Sequence, residues 1–477
     1  MPEWSGRNHS FFLGTCDLRS FLRNHGLEVE IFDEDVSAFA AEQENKDKDA
    51  ILRDALLDFR PNYVGIHINT PNYENALKLA RKIRLYSPES IIVAGGPHAS
   101  VAWKTILEFH NEIDYISVGE GETSILSLVA FVSAGMVGDL PPGIAGRYNG
   151  EVRYKPEAFL SCEQLVASDR QGLLETPFPD LRKWARKRYL DNFYNAIYSF
   201  DGRNATNIYV ARGCTRKCPY CSPGSFWKDP FTGIPCQRIK SFDALENELL
   251  YLRENGFSAL YFDEMAIPMK SGKWLQTFAE LLKKYDFFWG GAVLFDQISK
   301  VSVETLANYG LRYLYFGFET PQDGLQSEIG KKTNNECVSA FMKRCASCGI
   351  QCDLSMFFGI PGENDKTVEN TISWLLSNLP RGNAFFSVAA IWPGTPWADD
   401  FGLAPICWEP EYIKGNAPNH VNWYSHDMTA IGKFYSNALG TYHPPYLTPE
   451  KALWIKQKII ESGFRERFAK YSRRKAI

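Results

Sequence analysis

The sequence predicts an α/β protein with an N-terminal doubly wound domain, a partial (β/α)6 barrel and a C-terminal helical cap. Strand-like and helical stretches alternate from residue 14 to about residue 135 and again from residue 205, which is typical of parallel sheets covered by helices. Residues 136–204 are rich in turn residues and lose this alternation. Because 477 residues exceed the size of one ordinary domain, several domains are expected.

The first domain, residues 1–135, is predicted from helices and strands that alternate along the chain. Helices are expected at 15–26, 48–59 and 72–86, and strands at 27–33, 63–69 and 90–96. The segment "IDYISVGEGE" and a further helix follow. Residues 136–204 are interpreted as a linker subdomain.

The barrel, residues 205–400, is predicted from six strand candidates, of which the first five precede a helical stretch. These strands are expected at 207–211, 258–264, 288–295, 312–319, 351–359 and 383–392. In barrels of this kind the chemistry takes place at the carboxyl ends of the strands. Residues 401–477, rich in aromatic residues and then helical, are predicted to cap that end.

Composition and charge exclude several classes of function. The formal net charge is −4 and no basic block is long enough for nucleic-acid binding. No apolar run approaches the length of a membrane span, and the N-terminus lacks the pattern of a signal peptide. A cytoplasmic protein without a nucleic-acid or membrane partner is therefore expected. Cysteines stay reduced there, so clustered cysteines indicate a metal centre or catalysis.

The strongest functional signal is the loop "VARGCTRKCPYCSPG", which places Cys214, Cys218 and Cys221 in the spacing C-x3-C-x2-C. Three thiolates can hold three irons of a [4Fe-4S] cubane and leave the fourth iron open to a substrate. Zinc is the alternative metal, but a structural zinc site needs four ligands and no matching second pair is present. Incidental cysteines are the remaining alternative, and the flanking glycines and prolines disfavour it.

With an aromatic residue, Tyr220, just before its last cysteine, the loop resembles the signature of radical S-adenosylmethionine (SAM) enzymes. The resemblance implies that SAM binds the open iron and that an electron from the cluster cleaves it to a 5′-deoxyadenosyl radical. It also implies an oxygen-sensitive protein and an electron donor such as flavodoxin or ferredoxin.

The resemblance extends over most of the chain. "VAGGPHAS" and "VGEGE" are similar to the N-terminal cobalamin-binding-type domain of one branch of these enzymes, and "FPDLRKW" resembles its linker. "YFGFET", "FFGIPGEN" and "WPGTP" resemble the fourth, fifth and sixth barrel strands of that branch. The implied fold is a Rossmann-like first domain followed by a TIM-like barrel.

Strand alternation and the resemblance together select further site residues. In the fifth strand, Ser355 shares the inward face with Gln351 and Asp353. In the fourth strand, the resemblance implies that Glu319 binds the ammonium group or ribose of SAM. A helix-capping carboxylate is the structural alternative for Glu319.

Three more positions are candidates for contact with SAM. Asp263 and Glu264 end the second strand, where the resemblance implies polar residues that hold the SAM amino group. Gly359 begins the loop after the fifth strand and is a candidate for backbone contact with adenine, or it simply turns the chain. The third strand ends in "VLFDQ", which has Asp296 but lacks the arginine found in many relatives, so the SAM carboxylate is expected to be held differently.

The four cysteines of residues 337–352 raise the question of a second cluster. Val338, Met342 and Cys345 follow a helical spacing, which favours a buried apolar stripe over a metal site.

Cobalamin binding is left open by the sequence. A domain of this type starts with an apolar strand before its first helix, and no convincing strand precedes residue 14. His98, in "GGPHAS", has a match in the loop that lines the cobalamin face. The missing strand weighs more, so weak or absent cobalamin binding is expected.

The favoured function is therefore hydrogen abstraction from a small-molecule substrate, followed by dehydration, deoxygenation, epimerisation or decarboxylation in natural-product or cofactor biosynthesis. The alternatives are a cobalamin-dependent radical methyltransferase and a non-catalytic cobalamin or iron–sulfur sensor.

Overall fold

The structure is a computed structural model that describes residues 12–190, 200–263, 267, 272–379, 384–412, 442 and 444–463. The chain forms two compact units. The first consists of residues 1–212 with 226–261, and the second of residues 213–225 with 262–477.

The first sheet has the strand order β1-β2-β3-β4-β5. Its strands are β1 (Tyr63–His67), β2 (Ile91–Gly95), β3 (Tyr115–Ser117), β4 (Ile144–Tyr148) and β5 (Glu151–Tyr154). The first three strands are parallel, and β4 and β5 add an antiparallel hairpin. The hairpin turns at Asn149 and Gly150, which both have positive φ as a two-residue turn requires.

Several α-helices lie between residues 13 and 254. They are α1 (Leu13–Asn24), α2 (Glu34–Glu44), α3 (Lys48–Phe59), α4 (Tyr73–Tyr86), α5 (Pro97–Phe109), α6 (Glu122–Ser133), α7 (Gln171–Leu174), α8 (Pro179–Leu190), α9 (Ser222–Phe226) and α10 (Phe242–Glu254). The predicted helices at 15–26, 48–59 and 72–86 are confirmed as α1, α3 and α4. In α10, the apolar positions Leu245, Leu249 and Leu252 are fully buried, and Ser241 accepts a hydrogen bond from the amide of Ala244.

The predicted strand at 27–33 is wrong, because this segment forms no strand. Its backbone is held by α1 instead: Arg19 Nε donates to the carbonyl of Val29 at 3.0 Å, and Arg19 also pairs with Glu30. Among the described residues β1 is one edge of the sheet, so 27–33 does not pair with it. A strand-like pattern without a partner does not make a strand.

The second sheet is six-stranded, with the order β13-β12-β11-β10-β9-β6. Its strands are β6 (Ala205–Ile208), β9 (Ala259–Phe262), β10 (Phe288–Ala292), β11 (Leu311–Glu319), β12 (Gln351–Phe358) and β13 (Ala384–Val388). All six predicted strands are therefore present, and the pairs from β10 to β13 are parallel. A short ribbon, β7 (Ala211–Gly213) with β8 (Gln237–Ile239), lies between β6 and β9 in the sequence.

The helices of the second unit alternate with these strands. They are α11 (Gly272–Lys284), α12 (Phe295–Ile298), α13 (Val303–Asn308), α14 (Asp323–Glu328), α15 (Asn335–Ser347), α16 (Asp365–Asn378), α17 (Pro396–Asp400) and α18 (Pro449–Glu461). Much of the predicted cap, 401–477, lies outside the described residues. The boundaries proposed at 135, 204 and 400 stay predictions, although the hairpin at 144–154 extends the first sheet past residue 135. Among the described residues, no helix is both long and apolar enough to span a membrane.

Candidate functional site

The three motif cysteines lie on a tight loop between β7 and α9. Cys214 and Cys218 are buried and Cys221 is partly exposed. The amide of Cys221 donates to the carbonyl of Cys218 at 3.1 Å, which folds the C-x2-C half into a turn. A Cβ at Gly224 would lie 3.0 Å from the carbonyl oxygen of Arg216, so the glycine after the motif allows the loop to close on itself.

The electrostatics of these thiols fit an iron–sulfur cluster. Burial raises the pKa of Cys218, and it raises the pKa of Cys221 to about 12, with a further contribution from the neighbouring thiol of Cys218. Thiols that are buried and close together lose their protons only beside a positive centre such as bound iron. Within the described residues no three His, Cys, Asp or Glu side chains converge as ligands of a single metal ion. A cubane does not require this, because each thiolate binds a different iron.

Tyr220 connects the cysteine loop to the barrel strands. Its hydroxyl donates to Glu319 Oε1 at 3.3 Å, and its ring lies 4.8 Å from the ring of Phe357 and 5.6 Å from that of Trp397. The amide of Trp397 also donates to the carbonyl of Pro219 at 3.1 Å. The loop is thus held by the ends of β11 and β12 and by the start of α17, the helix in the "WPGTP" region.

Glu319 is strained and buried at the carboxyl end of β11. It has φ of 68°, a left-handed conformation that is rare for a residue with a side chain, and the register with β12 shifts between Gly317 and Glu319. The residue is 6% exposed. Backbone strain of this kind concentrates at functional sites. The geometry therefore fits the predicted site role of Glu319, and it does not match a helix cap.

Lys331 is a site residue that the sequence analysis missed. Its Nζ donates to Glu319 Oε1 at 2.6 Å and to the carbonyl of Gly317 at 2.8 Å. A Cβ at Gly317 would lie 2.6 Å from that nitrogen, so a larger residue there would displace the ammonium group. The lysine also lies close enough to Cys218 to lower the pKa of that thiol, against the larger effect of burial. No local sequence signal marks Lys331, which follows Glu319 by twelve residues.

Asp296, at the end of the third barrel strand, forms an ion pair with Arg216 of the cysteine loop. Both side chains are about half exposed, 40% for Arg216 and 51% for Asp296. This pair belongs to the loop surface, which leaves Lys331 as the cation bound to Glu319 beside the cysteines.

The other predicted site residues lie on or just after the barrel strands. Ser355 is half-buried on β12, beside Gly317 of β11. On the same face Asp353 is fully buried and accepts from the hydroxyl of Tyr313 at 3.1 Å. Asp263 follows β9 and is partly exposed, and Glu264 lies outside the described residues.

Gly359 has both of its backbone polar groups engaged by the protein. Its amide donates to Glu363 Oε2 at 2.5 Å, and its carbonyl accepts from the hydroxyl of Tyr446 at 3.2 Å. Its φ is 88°, and a Cβ would lie 2.7 Å from Leu447. The glycine therefore turns the chain under Leu447, and its predicted contact with adenine stays a prediction.

The raised pKa of Glu363 predicts how the stability of the protein depends on pH. Burial raises its pKa to about 7 from an ordinary 4.5, so the folded protein binds a proton that the unfolded chain releases. Stability is therefore expected to fall as the pH rises from about 4.5 to about 7, by on the order of 3 kcal/mol. Glu363→Gln removes this loss, and Glu369→Gln, an exposed control, keeps it. Melting temperatures from pH 5 to pH 7.5 measure the difference; equal pH slopes for wild type and Glu363→Gln contradict the assignment.

Of the four cysteines of residues 337–352, Cys345 and Cys352 are buried, as a core position requires. Val338, Met342 and Cys345 are at most 1% exposed. Cys345 forms a hydrogen bond with Cys352, which is 1% exposed, and this bond contributes most to raising the pKa of Cys352. Cys337 is exposed and Cys348 is half-buried.

In the first unit, a glycine with positive φ and a buried histidine lie just after the carboxyl end of β2, beside the end of β1. Gly96 has φ of 100°, and a Cβ there would lie 2.7 Å from the carbonyl oxygen of Ile68, so only glycine fits. His98 is 1% exposed, lies against the ring of Tyr73 at 4.3 Å and bonds Thr70 through Nδ1 at 3.0 Å. Burial lowers the pKa of His98 to about 3, so the ring is neutral, and its Nε2 has no hydrogen-bond partner within the described residues.

Comparison with known proteins finds two family models in the chain. The model of the B12 binding domain matches residues 13–129, and that of the radical SAM superfamily matches residues 208–375. The cytidylyl-2-hydroxyethylphosphonate methyltransferase of Streptomyces wedmorensis is 25% identical over 412 residues, which are 80% of this chain and 75% of the relative. The anaerobic magnesium-protoporphyrin IX monomethyl ester cyclase of Rubrivivax gelatinosus is 22% identical over 87% of this chain and 74% of its own.

Solved structures share the fold at low identity. The radical SAM methyltransferase TsrM of Kitasatospora setae, with cobalamin and a [4Fe-4S] cluster bound, has a TM-score of 0.69 at 16% identity and covers 95% of this chain and 89% of its own. The cobalamin-dependent radical enzyme OxsB has a TM-score of 0.67 at 16% identity over 95% of this chain and 65% of its own.

A loop with three cysteines beside the ends of barrel strands fits a cubane with one iron free for a ligand. The chain belongs to the radical SAM superfamily, in the branch that carries an N-terminal B12-binding domain. It is a radical SAM enzyme, and its cofactors are a [4Fe-4S] cluster and SAM.

Proposed function

We propose that this protein is a cobalamin-dependent radical SAM methyltransferase that acts on a small molecule. The observation that carries the proposal is the union of a B12-binding match at 13–129 and a radical SAM match at 208–375 in one chain. A methyltransferase relative extends over 80% of the chain, which supports the same function. These findings favour the methyltransferase alternative over hydrogen abstraction without cobalamin.

Cys214, Cys218 and Cys221 are proposed to hold the cluster, with SAM beside it at Tyr220, Glu319 and Lys331. Glu319 offers a carboxylate to the SAM ammonium group or ribose, and Lys331 offers an ammonium group to the SAM carboxylate. The support is geometric: Lys331 Nζ lies 2.6 Å from Glu319 Oε1, and Tyr220, bonded to the same oxygen, directly precedes Cys221. A paired carboxylate and ammonium group match the zwitterionic end of an amino acid.

The loops after β1 and β2 are proposed to contact the cobalamin. Gly96 lets the backbone after β2 pack tightly against the Ile68 carbonyl and the His67 ring, so the loops after β1 and β2 are held together where the cobalamin is proposed to lie. His98 is proposed to support this loop rather than to bind cobalt, because its ring is buried against Tyr73. When bound, cobalamin supplies a cobalt centre that can carry a methyl group, and the cluster supplies an electron.

The substrate, the electron donor and the location of the enzyme are also proposals. The substrate is proposed to be a small molecule in natural-product or cofactor biosynthesis, and the electron donor a flavodoxin or ferredoxin. The cytoplasm, where thiols stay reduced, is the proposed location. No nucleic-acid or membrane partner is proposed, because the net charge of −4 gives no basic surface.

Cobalt content tests the cobalamin part of the proposal. The protein is expressed with cobalamin supplied, purified without oxygen and washed free of loosely bound ligand. About one cobalt per chain is expected, together with about four irons. A folded, iron-loaded protein with less than a tenth of an equivalent of cobalt would instead restore the hydrogen-abstraction alternative.

A further inference from the structure

The two carboxylates of the "VGEGE" segment bind an arginine of the chain itself. Glu120 Oε1 lies 2.9 Å from Arg212 Nη1, and Glu122 Oε1 lies 2.7 Å from the same nitrogen. Asp17 of α1 completes the set, with Oδ2 at 2.9 Å from Arg212 Nη2. One guanidinium group thus binds three carboxylates, and each of the four side chains is at most 10% exposed.

This cluster extends into a balanced buried network inside the first compact unit. Arg238 binds both oxygens of Glu120, at 2.7 and 2.9 Å, and Lys240 binds Glu248 at 3.0 Å. The network contains four carboxylates and four cations: Asp17, Glu120, Glu122 and Glu248 with Arg170, Arg212, Arg238 and Lys240. Burial raises the pKa of Glu122, whereas the pKa of Glu120 is lowered because Arg238 and Arg212 more than offset its burial.

Stability alone does not explain why these charged side chains are buried together. Taking charges out of water costs several kcal/mol per ion, and well-packed apolar residues often serve stability equally well. What buried ion pairs provide in some proteins is a unique geometry. Arginine suits that role, because its planar fork fixes direction where lysine supplies only a point charge.

Arg212 lies two residues before the first motif cysteine, so its fixed geometry bears on the cysteine loop. Arg212 is followed by Gly213, which has φ of 93°, and then by Cys214, the first motif cysteine. Asp17, Glu120 and Glu122 belong to the B12-binding match at 13–129, whereas Arg212 belongs to the radical SAM match. The side chains of one family domain therefore fix the backbone at the point where the cysteine loop of the other begins.

We propose that Arg212 is a positioning residue for the iron–sulfur loop. Its three carboxylate partners hold residue 212 in one place and orientation, so that the loop starts in the direction that turns the open iron of its cluster toward SAM. The inference goes beyond the proposed function, because it applies whether the enzyme transfers methyl groups or abstracts hydrogen.

The test compares Arg212→Met and Arg212→Lys with Arg19→Met. Arg19 is a matched control, because it is also buried in the first unit and pairs with Glu30 and Asp169, but it does not adjoin the cysteine loop. Each protein is reconstituted without oxygen, and its iron content, its melting temperature and the electron paramagnetic resonance of its reduced cluster with and without SAM are measured. Cobalt content is measured separately, so that failure of the methyltransferase proposal is seen independently.

Arg212→Met is expected to keep its iron while the spectral change caused by SAM disappears and SAM affinity falls roughly 10–100-fold, as for other groups that orient ligands. Arg212→Lys should lie between it and wild type. Arg19→Met should lose thermal stability but keep the wild-type spectra. The proposal is overturned if Arg212→Met has the wild-type response to SAM, or if Arg19→Met shows the same loss of response.

If Arg212→Met does not fold, Glu122→Gln decides the matter, because it removes one carboxylate and leaves Asp17 and Glu120 on the arginine. A smaller spectral change in the same direction supports the proposal, and unchanged spectra with unchanged SAM affinity overturn it.

Discussion

Replacing Cys214, Cys218 and Cys221 together by alanine is expected to lower bound iron from about four per chain to near zero. These three thiols are the ligands proposed for the cubane, and the burial that raises the pKa of Cys218 and Cys221 makes bound iron the natural partner of their thiolates. The measurement is iron and sulfide content with the visible absorbance of the anaerobically reconstituted protein.

The matched control replaces Cys337, Cys345, Cys348 and Cys352 by alanine. This variant loses more thiols but should keep its cluster, since Cys345 and Cys352 pack in the core. Its stability should fall, because buried side chains are removed. If most of the iron survived the triple change and left with the quadruple one, the second group would hold the cluster.

Lys331→Met is expected to weaken SAM binding about tenfold or more, which corresponds to about 1.4 kcal/mol. The substitution removes the ammonium group that lies 2.6 Å from Glu319 Oε1, so the buried carboxylate loses its cation and SAM loses a partner for its own carboxylate. Iron content should stay unchanged, because Lys331 is not a ligand. SAM affinity is measured by equilibrium dialysis with the reconstituted protein.

Lys332→Met is the control for this variant, since Lys332 is the next residue and is exposed. Glu319→Gln should weaken SAM binding as well, and the double variant should lose less than the sum of the two losses, because the residues share one interaction. Unchanged SAM affinity in Lys331→Met, with the cluster loaded, would remove this lysine from the site.

Local sequence patterns predicted the barrel and the cluster loop well, because both depend on residues close in sequence. The alternation in "QCDLSMFFG" specifies β12, and the spacing of Cys214, Cys218 and Cys221 specifies the loop. The strand predicted at 27–33 is wrong because a strand needs a neighbouring strand to pair with. The alternation within one segment does not show whether such a pair forms.

Contacts between residues far apart in the chain could not be predicted from the sequence. Lys331 meets Glu319 only because the chain passes through α14 and turns back over Gly317. The segment "VGEGE" resembles the cobalamin-binding-type domain, but nothing in it indicates that Glu120 and Glu122 bind Arg212, about ninety residues later. Pairing of buried charges over such separations leaves no periodic pattern that a single sequence can show.

The central claim is that this radical SAM enzyme transfers methyl groups with the help of cobalamin. The most direct measurement is the set of products that the fully loaded, reduced protein forms from SAM with candidate small-molecule substrates. Methyl transfer leaves S-adenosylhomocysteine, because the departing methyl group leaves its electron pair on sulfur, whereas reductive cleavage leaves 5′-deoxyadenosine and methionine. The account predicts S-adenosylhomocysteine together with a methylated product, both dependent on bound cobalamin. Turnover of a substrate with 5′-deoxyadenosine as the sole SAM-derived nucleoside, at the same rate with and without cobalamin, would contradict it.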